Sequence, residues 1–399
     1  MESWGYQLTF YLKNLGINNY YIYYTKIVNN MIINLKNQTD LSGFYVIYEG
    51  STNLERSGNY GISHLMEHLM CKNFDHLQDI FEDNGLSWNA YTSSNEIVFY
   101  IKGLDENVNK YKGEFLKLLS DFNVTRDDFE NERKIVLEEY MDTFNDQTSC
   151  HYLNLERKIY DSYSPIGKKS DLENLKFMDC LNFFEEQYMN PSKIINVSKH
   201  NDFNSNVKFA KREINKEYKL HENNTNLDLE LDNSFANKSS LIIKSPLIRE
   251  DFAEAQFINM MLSSGLNSPF YKEIREKKGL VYFVDCSMNR MNNVADIDIS
   301  TLTSNGNIEK IVDTIGEIFE NIDNHLTQER FNIVKNSVKI NLKKQDINRH
   351  SSVGRWISPD GWNLEDIIDT ITLEDCKRVF NKHYNLDKFY VSDDKNEFK

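Results

Sequence analysis

The sequence predicts an α+β fold built from two similar domains. Helical segments with amphipathic spacing alternate with short β-type segments along the 399 residues. The order of these segments also repeats, since Thr125 and Phe129 precede Thr327 and Phe331 by 202 positions. A unit that occurs only twice is too short a series for a solenoid. We therefore expect a pair of similar domains.

In the first half, the predicted order is one strand, two helices, two strands and two helices. Gly85 ends the second helix, and a capping sequence from Thr125 to Asp128 opens the last one. The two consecutive strands alternate apolar and polar residues on either side of a short polar turn. The predicted strands are 43–48, 86–92 and 96–101, and the predicted helices are 59–71, 74–84, 106–120 and 125–143.

The second half predicts a similar order. The predicted helices are 252–262, 269–278 and 308–322, followed by a helix capped at Thr327, and the predicted strands are 280–287 and 295–301. We expect the halves to meet in a stretch rich in Asn, Lys, Glu and Asp. This gives a first domain over 1–200, a linker with the first strands of the second domain over 201–240, and a second domain over 241–399.

The composition narrows the classes of function. The net charge of -15 argues against a nucleic-acid partner and against docking on anionic lipid. No apolar run is long enough to cross a membrane, and the first residues do not form a secretory signal. The five cysteines have no Cys-x-x-Cys spacing, which is typical of reduced thiols. We expect a cytoplasmic protein that binds neither nucleic acid nor membrane.

Residues 64–68 form a His-x-x-Glu-His motif on a predicted helix. Positions i, i+3 and i+4 share one helix face, so His64 and His68 can direct their imidazoles at one ion with Glu67 beside them. This pattern is typical of zinc sites that hydrolyse peptide bonds. It predicts one zinc ion per chain and Glu67 as the general base. Cys71 either faces this site or packs the helix, and we favour packing.

A catalytic zinc ion usually takes three protein ligands, so a third ligand is required. The predicted helix 125–143 offers Glu132, Glu138 and Glu139 as candidates. Adjacent helical residues point about 100° apart, so we expect only one of Glu138 and Glu139 to bind.

The stretch from Glu132 to Glu139, together with the zinc motif, resembles the M16 metallopeptidases, also called pitrilysin-like or inverzincin peptidases. This family includes insulin-degrading enzyme and the mitochondrial processing peptidases, and it has a Glu-Arg-x-Val-Val-x-x-Glu stretch on a later helix. The resemblance implies Glu139 as the third ligand in preference to Glu138, and Glu132 as a supporting carboxylate. The spacing from His68 to Glu139 is shorter than in the family, and the shortfall lies at 71–76, where we expect a shortened surface loop.

The resemblance covers nearly the whole chain. It implies two homologous M16-type domains, each an antiparallel-rich sheet with helices packed on one face. The stretch 89–92 is similar to the family's Asn-Ala-x-Thr edge strand, to which a peptide adds by main-chain pairing, so Asn89 and Ala90 are implied to dock the substrate. Arg275 and Tyr282 are similar to its Arg-x(6)-Tyr motif. They are implied to bind substrate carbonyls from the second domain, and Tyr282 to stabilise the oxyanion.

We therefore expect a zinc-dependent endopeptidase that resembles the half-length members of the family. The second half has no metal chemistry, since Asn341 stands 202 positions after Glu139. Because one chain holds both the zinc motif and the Arg/Tyr pair, we expect a homodimer that encloses a chamber, with a heterodimer with another M16 half as the alternative. Two other functions stay open: a maturase of one precursor peptide that works with a partner subunit, and a non-catalytic structural subunit.

Overall fold

The computed structural model describes residues 31–160, 163–212, 238–247, 251–291, 294–304, 306–347, 353–357 and 368–393. The first 30 residues and much of the predicted linker 201–240 lie outside this part of the chain. The described residues form two sheets, each with its own helices. This confirms the α+β fold of two domains, whose boundaries stay a prediction.

The first sheet has five strands. These are β1 (Ile32–Lys36), β2 (Leu41–Glu49), β3 (Ser87–Thr92), β4 (Glu96–Leu104) and β5 (Lys193–Ser198), in the order β1-β5-β2-β4-β3. All neighbouring strands are antiparallel except β1 and β5. The sequence pattern predicts β2, β3 and β4 but neither β1 nor β5. Among the described strands, β3 lies at the edge of the sheet and pairs with β4 alone.

The helices of the first domain are α1 (Ile62–Cys71), α2 (Gln78–Asp83), α3 (Asp105–Leu118), α4 (Arg126–Asn145), α5 (Gln147–Tyr160), α6 (Lys169–Asn174) and α7 (Phe177–Phe183). Helix α4 begins at the expected capping box. The Thr125 hydroxyl accepts a hydrogen bond from the backbone N–H of Asp128 at 3.1 Å, and the Asp128 carboxylate accepts one from the backbone N–H of Thr125 at 2.9 Å.

The predicted helix 74–84 is only partly correct. A 3₁₀ helix covers Lys72–Leu77, directly after α1, and the α-helix begins at Gln78. The side-chain amide of Asn73 donates to the backbone carbonyls of Leu118 and Asp121 at 3.1 and 2.7 Å. These bonds tie the tight 3₁₀ segment to the end of α3, in the segment where the sequence predicts a shortened surface loop.

The second sheet has four antiparallel strands. These are β6 (Lys238–Leu247), β7 (Asp285–Met291), β8 (Val294–Ser304) and β9 (Tyr390–Asp393), in the order β7-β8-β6-β9. The helices are α8 (Phe252–Ser263), α9 (Ile308–Glu320), α10 (Gln328–Ile347), α11 (Gly354–Ile357) and α12 (Leu373–His383), with a π-helix over Tyr271–Lys277. Helices α4 and α10 have 20 residues each and begin 202 positions apart, at Arg126 and Gln328, in agreement with the predicted repeat.

The predicted strand 280–287 begins later than expected, at Asp285. The backbone N–H of Leu280 donates back to the carbonyl of Ile274 at 3.0 Å, and the carbonyl of Leu280 accepts from the Thr303 hydroxyl at 2.6 Å. The end of the π-helix therefore holds this segment, and only Val281 bridges to β8. As a result, residue 282 lies in a loop and not in a strand.

Each domain has its own apolar core, formed by helices on one face of its sheet. The opposite faces are covered by exchange between the halves. Helix α5 of the first half packs on the second sheet, where the ring nitrogens of His151 lie 3.0 and 2.7 Å from the hydroxyls of Ser240 and Ser392. In return, Val353 and Ile357 pack on the first sheet. Within the described ranges, no helix is both long and apolar enough to cross a membrane.

Candidate active site

A buried carboxylate fixes the N-terminus of α1. Glu55 accepts hydrogen bonds from the backbone N–H groups of Gly61 and Ser63 at 3.0 and 2.9 Å. Gly61 has a φ of 98°, a conformation that favours glycine. Its backbone lies so close to Gly167 that a Cβ atom on Gly167 would come within 2.4 Å of the Gly61 Cα atom. These contacts set the position of the helix that carries the zinc motif.

His64, His68 and Glu139 converge on one point between α1 and α4. The distance from His64 Nε2 to Glu139 Oε2 is 3.5 Å, and that from His68 Nε2 to Glu139 Oε1 is 3.7 Å. The possible ligand atoms of the three residues all lie within 4.8 Å of one another. Across the described part of the chain, this is the one group of three or more His, Cys, Asp or Glu side chains placed to hold a metal ion.

The geometry of this group fits a zinc ion. Zinc bonds to histidine nitrogen and carboxylate oxygen are about 2.0–2.2 Å long, so the ligand atoms of a tetrahedral ion lie about 3.4 Å apart. Two of the separations, 3.5 and 3.7 Å, are close to this value, and all the possible ligand atoms lie within 4.8 Å of one another. Two imidazoles and one carboxylate are also a donor set of catalytic zinc, which leaves the fourth position for water or substrate.

Glu132 orients one of the two imidazoles. His68 Nδ1 lies 3.2 Å from Glu132 Oε2, which leaves Nε2 of His68 for a metal ion. A carboxylate at this position fixes the tautomer and the orientation of a ligating histidine. Glu132 and Glu139 are seven residues apart, two turns of α4, so one helix supplies both carboxylates.

Burial sets the protonation state of the second imidazole. It lowers the pKa of His64 to about 4, and the neighbouring His68 adds to the effect. His64 is therefore neutral at neutral pH, which is the form that binds metal.

Glu67 lies on α1 between the two histidines and is held by Thr92 of β3. Thr92 Oγ1 donates a hydrogen bond to Glu67 Oε2 at 2.6 Å. Burial raises the pKa of Glu67, while the bond from Thr92 lowers it. This carboxylate is not one of the three residues that converge, so it is available for proton transfer.

Two further candidate residues, Glu138 and Cys71, are not part of the group formed by His64, His68 and Glu139. Glu138 is exposed on α4, and Cys71 at the end of α1 is half-buried. Burial raises the pKa of the Cys71 thiol, and the nearby carboxylates of Glu67 and Glu132 raise it further. A neutral thiol is a poor metal ligand.

The predicted docking residues Asn89 and Ala90 lie in the middle of β3, opposite Tyr100 and Phe99 of β4. Because β3 has no strand on its other side among the described residues, its main chain is open to an added strand. The backbone N–H of Ala90 donates to the side-chain oxygen of Asn89 at 2.8 Å.

Arg275 and Tyr282 contact each other in the second domain. The guanidinium carbon of Arg275 lies 4.6 Å from the ring centroid of Tyr282 and 4.8 Å from that of Tyr271. Tyr282 is 78% exposed. None of the described contacts joins this pair to the group at His64.

Two known families match this chain, one in each half. The family described as "Insulinase (Peptidase family M16)" matches residues 35–163, which include the zinc motif and Glu139. The family described as "Peptidase M16 inactive domain" matches residues 230–338, which include Arg275 and Tyr282. The chain belongs to the M16 family.

One relative and one solved structure of similar length support the assignment of this chain to the half-length M16 type. This chain is 22% identical over 395 residues to an "Uncharacterized zinc protease" of Rickettsia felis. The aligned region covers 90% of this chain and 94% of the relative. A partial match is found to the "Probable mitochondrial-processing peptidase subunit beta, mitochondrial" of Arabidopsis thaliana, with 26% identity over 188 residues, which are 44% of this chain and 35% of the relative. The crystal structure of a protease from Helicobacter pylori has the same fold, with a TM-score of 0.75 at 18% identity over 91% of this chain and 96% of that chain.

The sequence alone gives no role to two residues of this M16 site. Glu55 belongs to a stretch before the motif that resembles the family's first strand and turn, but its partner N–H groups lie six and eight residues later across a turn, so the spacing does not reveal its contact with α1. Thr92 is visible in the Asn-Ala-x-Thr stretch, but its contact with Glu67 depends on how β3 packs beside α1. The alternation of the strand could have suggested it, since Thr92 and Ala90 share one face.

Proposed function

We propose that this chain is a zinc-dependent endopeptidase that hydrolyses short or unfolded peptides, held as an added β-strand inside a closed chamber. The observation that carries this proposal is the convergence of His64, His68 and Glu139, with Glu67 on the same helix as the two histidines. The name of the Rickettsia felis relative, a zinc protease, supports it.

Each residue of the site has a defined role in this proposal. His64, His68 and Glu139 hold one zinc ion, which when bound acts as a Lewis acid toward water and the peptide carbonyl. Glu67 takes the proton of the attacking water and later delivers it to the leaving amine. Glu132 keeps the ring of His68 in place through Nδ1.

The substrate is held by main-chain and side-chain contacts from both domains. A peptide pairs with β3 at Asn89 and Ala90, which suits short or unfolded chains because their backbone is free. Arg275 and Tyr282 bind its carbonyl groups from the other side. The Tyr282 hydroxyl donates to the oxyanion that forms during attack, and its high exposure leaves it free to do so. The catalytic domain in this scheme is 1–200, and the substrate clamp belongs to 241–399.

The first test measures how fast wild type, Glu67→Gln and Glu138→Gln cleave the members of a library of fluorescence-quenched peptides. Zinc content is measured on the same samples. We expect about one zinc per chain in all three proteins, because none of the changed residues is a ligand. Cleavage should be lost in Glu67→Gln and kept in Glu138→Gln, which changes an exposed neighbour of Glu139. Absence of zinc from wild type would falsify the proposal.

We further propose that the enzyme is a cytoplasmic homodimer, in which two copies close the chamber. The five cysteines are all free thiols, which suits a reducing compartment. Light scattering at micromolar concentration should give twice the mass of one chain. A stable monomer that cleaves no peptide would instead favour the second candidate, a processing peptidase that needs a partner subunit. The relative named as a subunit of a processing peptidase motivates this candidate.

A further inference from the structure

The general base of the proposed reaction is held by the strand that would bind the substrate. Thr92 Oγ1 donates to Glu67 Oε2 at 2.6 Å, the usual distance for a charge-assisted bond from a hydroxyl to a carboxylate. A carboxylate has two oxygens, and this bond occupies one of them. The other oxygen of Glu67 is left to take a proton.

The pleat of β3 directs Thr92 toward the site. Alternate residues of a strand share a face, so Thr92 points the same way as Trp88 and Ala90. Both of these are partly buried and pack against the core of the first domain. Asn89 and Tyr91 are exposed on the opposite face. Thr92 is therefore the last inward residue of the edge strand.

The backbone of Thr92 is fixed on both sides. It pairs with Ile97 of β4, and the next residue begins a tight turn in which the backbone N–H of Ser93 donates to the carbonyl of Glu96 at 2.8 Å. The carbonyl of Ser93 in turn accepts from the hydroxyl of Ser51 at 2.6 Å. A hydroxyl on such a rigid support is preorganised for its partner.

We propose that Thr92 is the positioning residue of Glu67, and that it sets the base relative to a peptide paired with β3. The inference rests on the proposed function only in the role that it gives to Glu67. Thr92 itself does not contact the reacting atoms. Loss of its hydroxyl leaves Glu67 in place but free to rotate away from the attacking water.

The test compares Thr92→Val, Thr92→Ser and Thr39→Val on the library peptide that wild type cleaves fastest. Valine keeps the shape of threonine without the hydroxyl, and serine keeps the hydroxyl. Thr39, in the turn between β1 and β2, is a matched control, because its hydroxyl also takes part in a hydrogen bond, accepting from the side-chain amide of Asn37 at 2.8 Å, and no described contact joins it to Glu67. We expect kcat of Thr92→Val to fall about 10- to 100-fold, as for a misplaced catalytic group, with KM nearly unchanged.

Zinc content and melting temperature should be the same in all of these proteins, and Thr92→Ser should recover most of kcat. A purely structural role would lower the melting temperature and would not be rescued by serine at wild-type stability. Unchanged kcat in Thr92→Val, with active wild type, would overturn the proposal.

Cobalt substitution gives a second readout that needs no turnover. The visible spectrum of bound Co²⁺ depends on the groups around its open position. If Thr92 acts through Glu67, Thr92→Val should shift the spectrum of wild type, and the same change should leave the spectrum of Glu67→Gln unaltered. A spectrum of Thr92→Val identical to that of wild type would contradict the inference. These spectra decide the role of Thr92 even if wild type cleaves no peptide, which would instead count against the proposed function.

Discussion

Helices α4 and α10 occupy the same place in their domains, but they carry different chemistry. At the position of Glu139, α10 has Asn341, and at the position of Glu132 it has Val334, each 202 residues later. Glu132 reaches across to a histidine, whereas Val334 is buried in the core of the second domain. The two helices have the same length. The fold therefore needs the shape of this helix, and the chemistry needs only a few replaceable side chains on it.

The outer faces of the two sheets differ in a similar way. Ile47 and Val98 on the first sheet meet Val353 and Ile357 in an apolar contact. On the second sheet, α5 covers a lysine that is completely buried, Lys244. Each half thus covers the sheet of the other, but by different means.

Lys244 is surrounded by acidic groups. Its Nζ lies 3.5, 3.4 and 3.2 Å from carboxylate oxygens of Glu156, Asp296 and Asp298. It also lies 4.0 Å from the ring centroid of Tyr152. Burial lowers the pKa of Lys244, but the carboxylates raise it well above its ordinary value. One charged lysine thus faces three carboxyl groups at the contact between the halves.

The largest effect is expected when α4 is made like α10. Glu139→Asn should abolish zinc binding and lower peptide cleavage by about 10³-fold or more, because the ion supplies several kcal/mol of transition-state stabilisation. Metal analysis and the peptide assay measure this, with Glu138→Asn as the control. The reverse change, Asn341→Glu, should add no zinc to the second domain. One zinc per chain in Glu139→Asn would show that Glu139 is not a ligand.

The second largest effect is a difference in stability between the charged outer face of the second sheet and the apolar outer face of the first. Lys244→Met should destabilise the protein by about 3–5 kcal/mol, because it leaves buried carboxylates without their counter-charge. The matched change on the apolar face, Ile47→Met, should cost less than about 1.5 kcal/mol, because it conserves volume and polarity. Urea unfolding at neutral pH measures both. Equal midpoints for the two variants would mean that the charges of the second face do not stabilise it.

How much the sequence predicts depends on whether a feature is local. The motif on α1 and the cap of α4 lie within a few residues of one another, so spacing alone predicts His64, His68 and the start of α4. The internal repeat extends this to α10, which begins 202 residues after α4.

Features that depend on distant partners were not predictable. Strands β1 and β5 pair across more than 150 residues, and neither has a strong pattern of its own. In the sequence, Lys244 interrupts an apolar strand pattern. The reason is visible only in the fold, where Glu156 of α5 lies 3.5 Å from the Lys244 Nζ atom. The same holds for the segment after the π-helix, where the bond from Thr303 to Leu280 delays the start of β7.

A smaller effect is expected at Glu132, the position at which α10 has Val334. Glu132→Gln should weaken zinc binding about 10- to 100-fold, because a supporting carboxylate orients its histidine and raises its basicity. Competition with a chelator of known affinity measures this, with the exposed Glu138→Gln as the control. An unchanged zinc affinity would mean that the position of His68 is fixed by packing alone.

The smallest effect is a pH dependence of the free energy of unfolding. It comes from the buried carboxyl groups of the second sheet, and the apolar face of the first sheet should have no counterpart. Burial raises the pKa of Asp298 to about 6, against the attraction of Lys244, whereas its ordinary value is 3.8. The folded state therefore binds a proton between these pH values that the unfolded state has lost, and stability should fall as the pH rises through 6. Between pH 5 and pH 7.5 the free energy of unfolding should fall by about 1.4 kcal/mol through this group. Urea unfolding at both pH values, for wild type and Asp298→Asn, isolates it as the difference between the two proteins. Parallel pH profiles would mean that Asp298 has the same pKa in the folded and the unfolded protein, and that burial does not raise it.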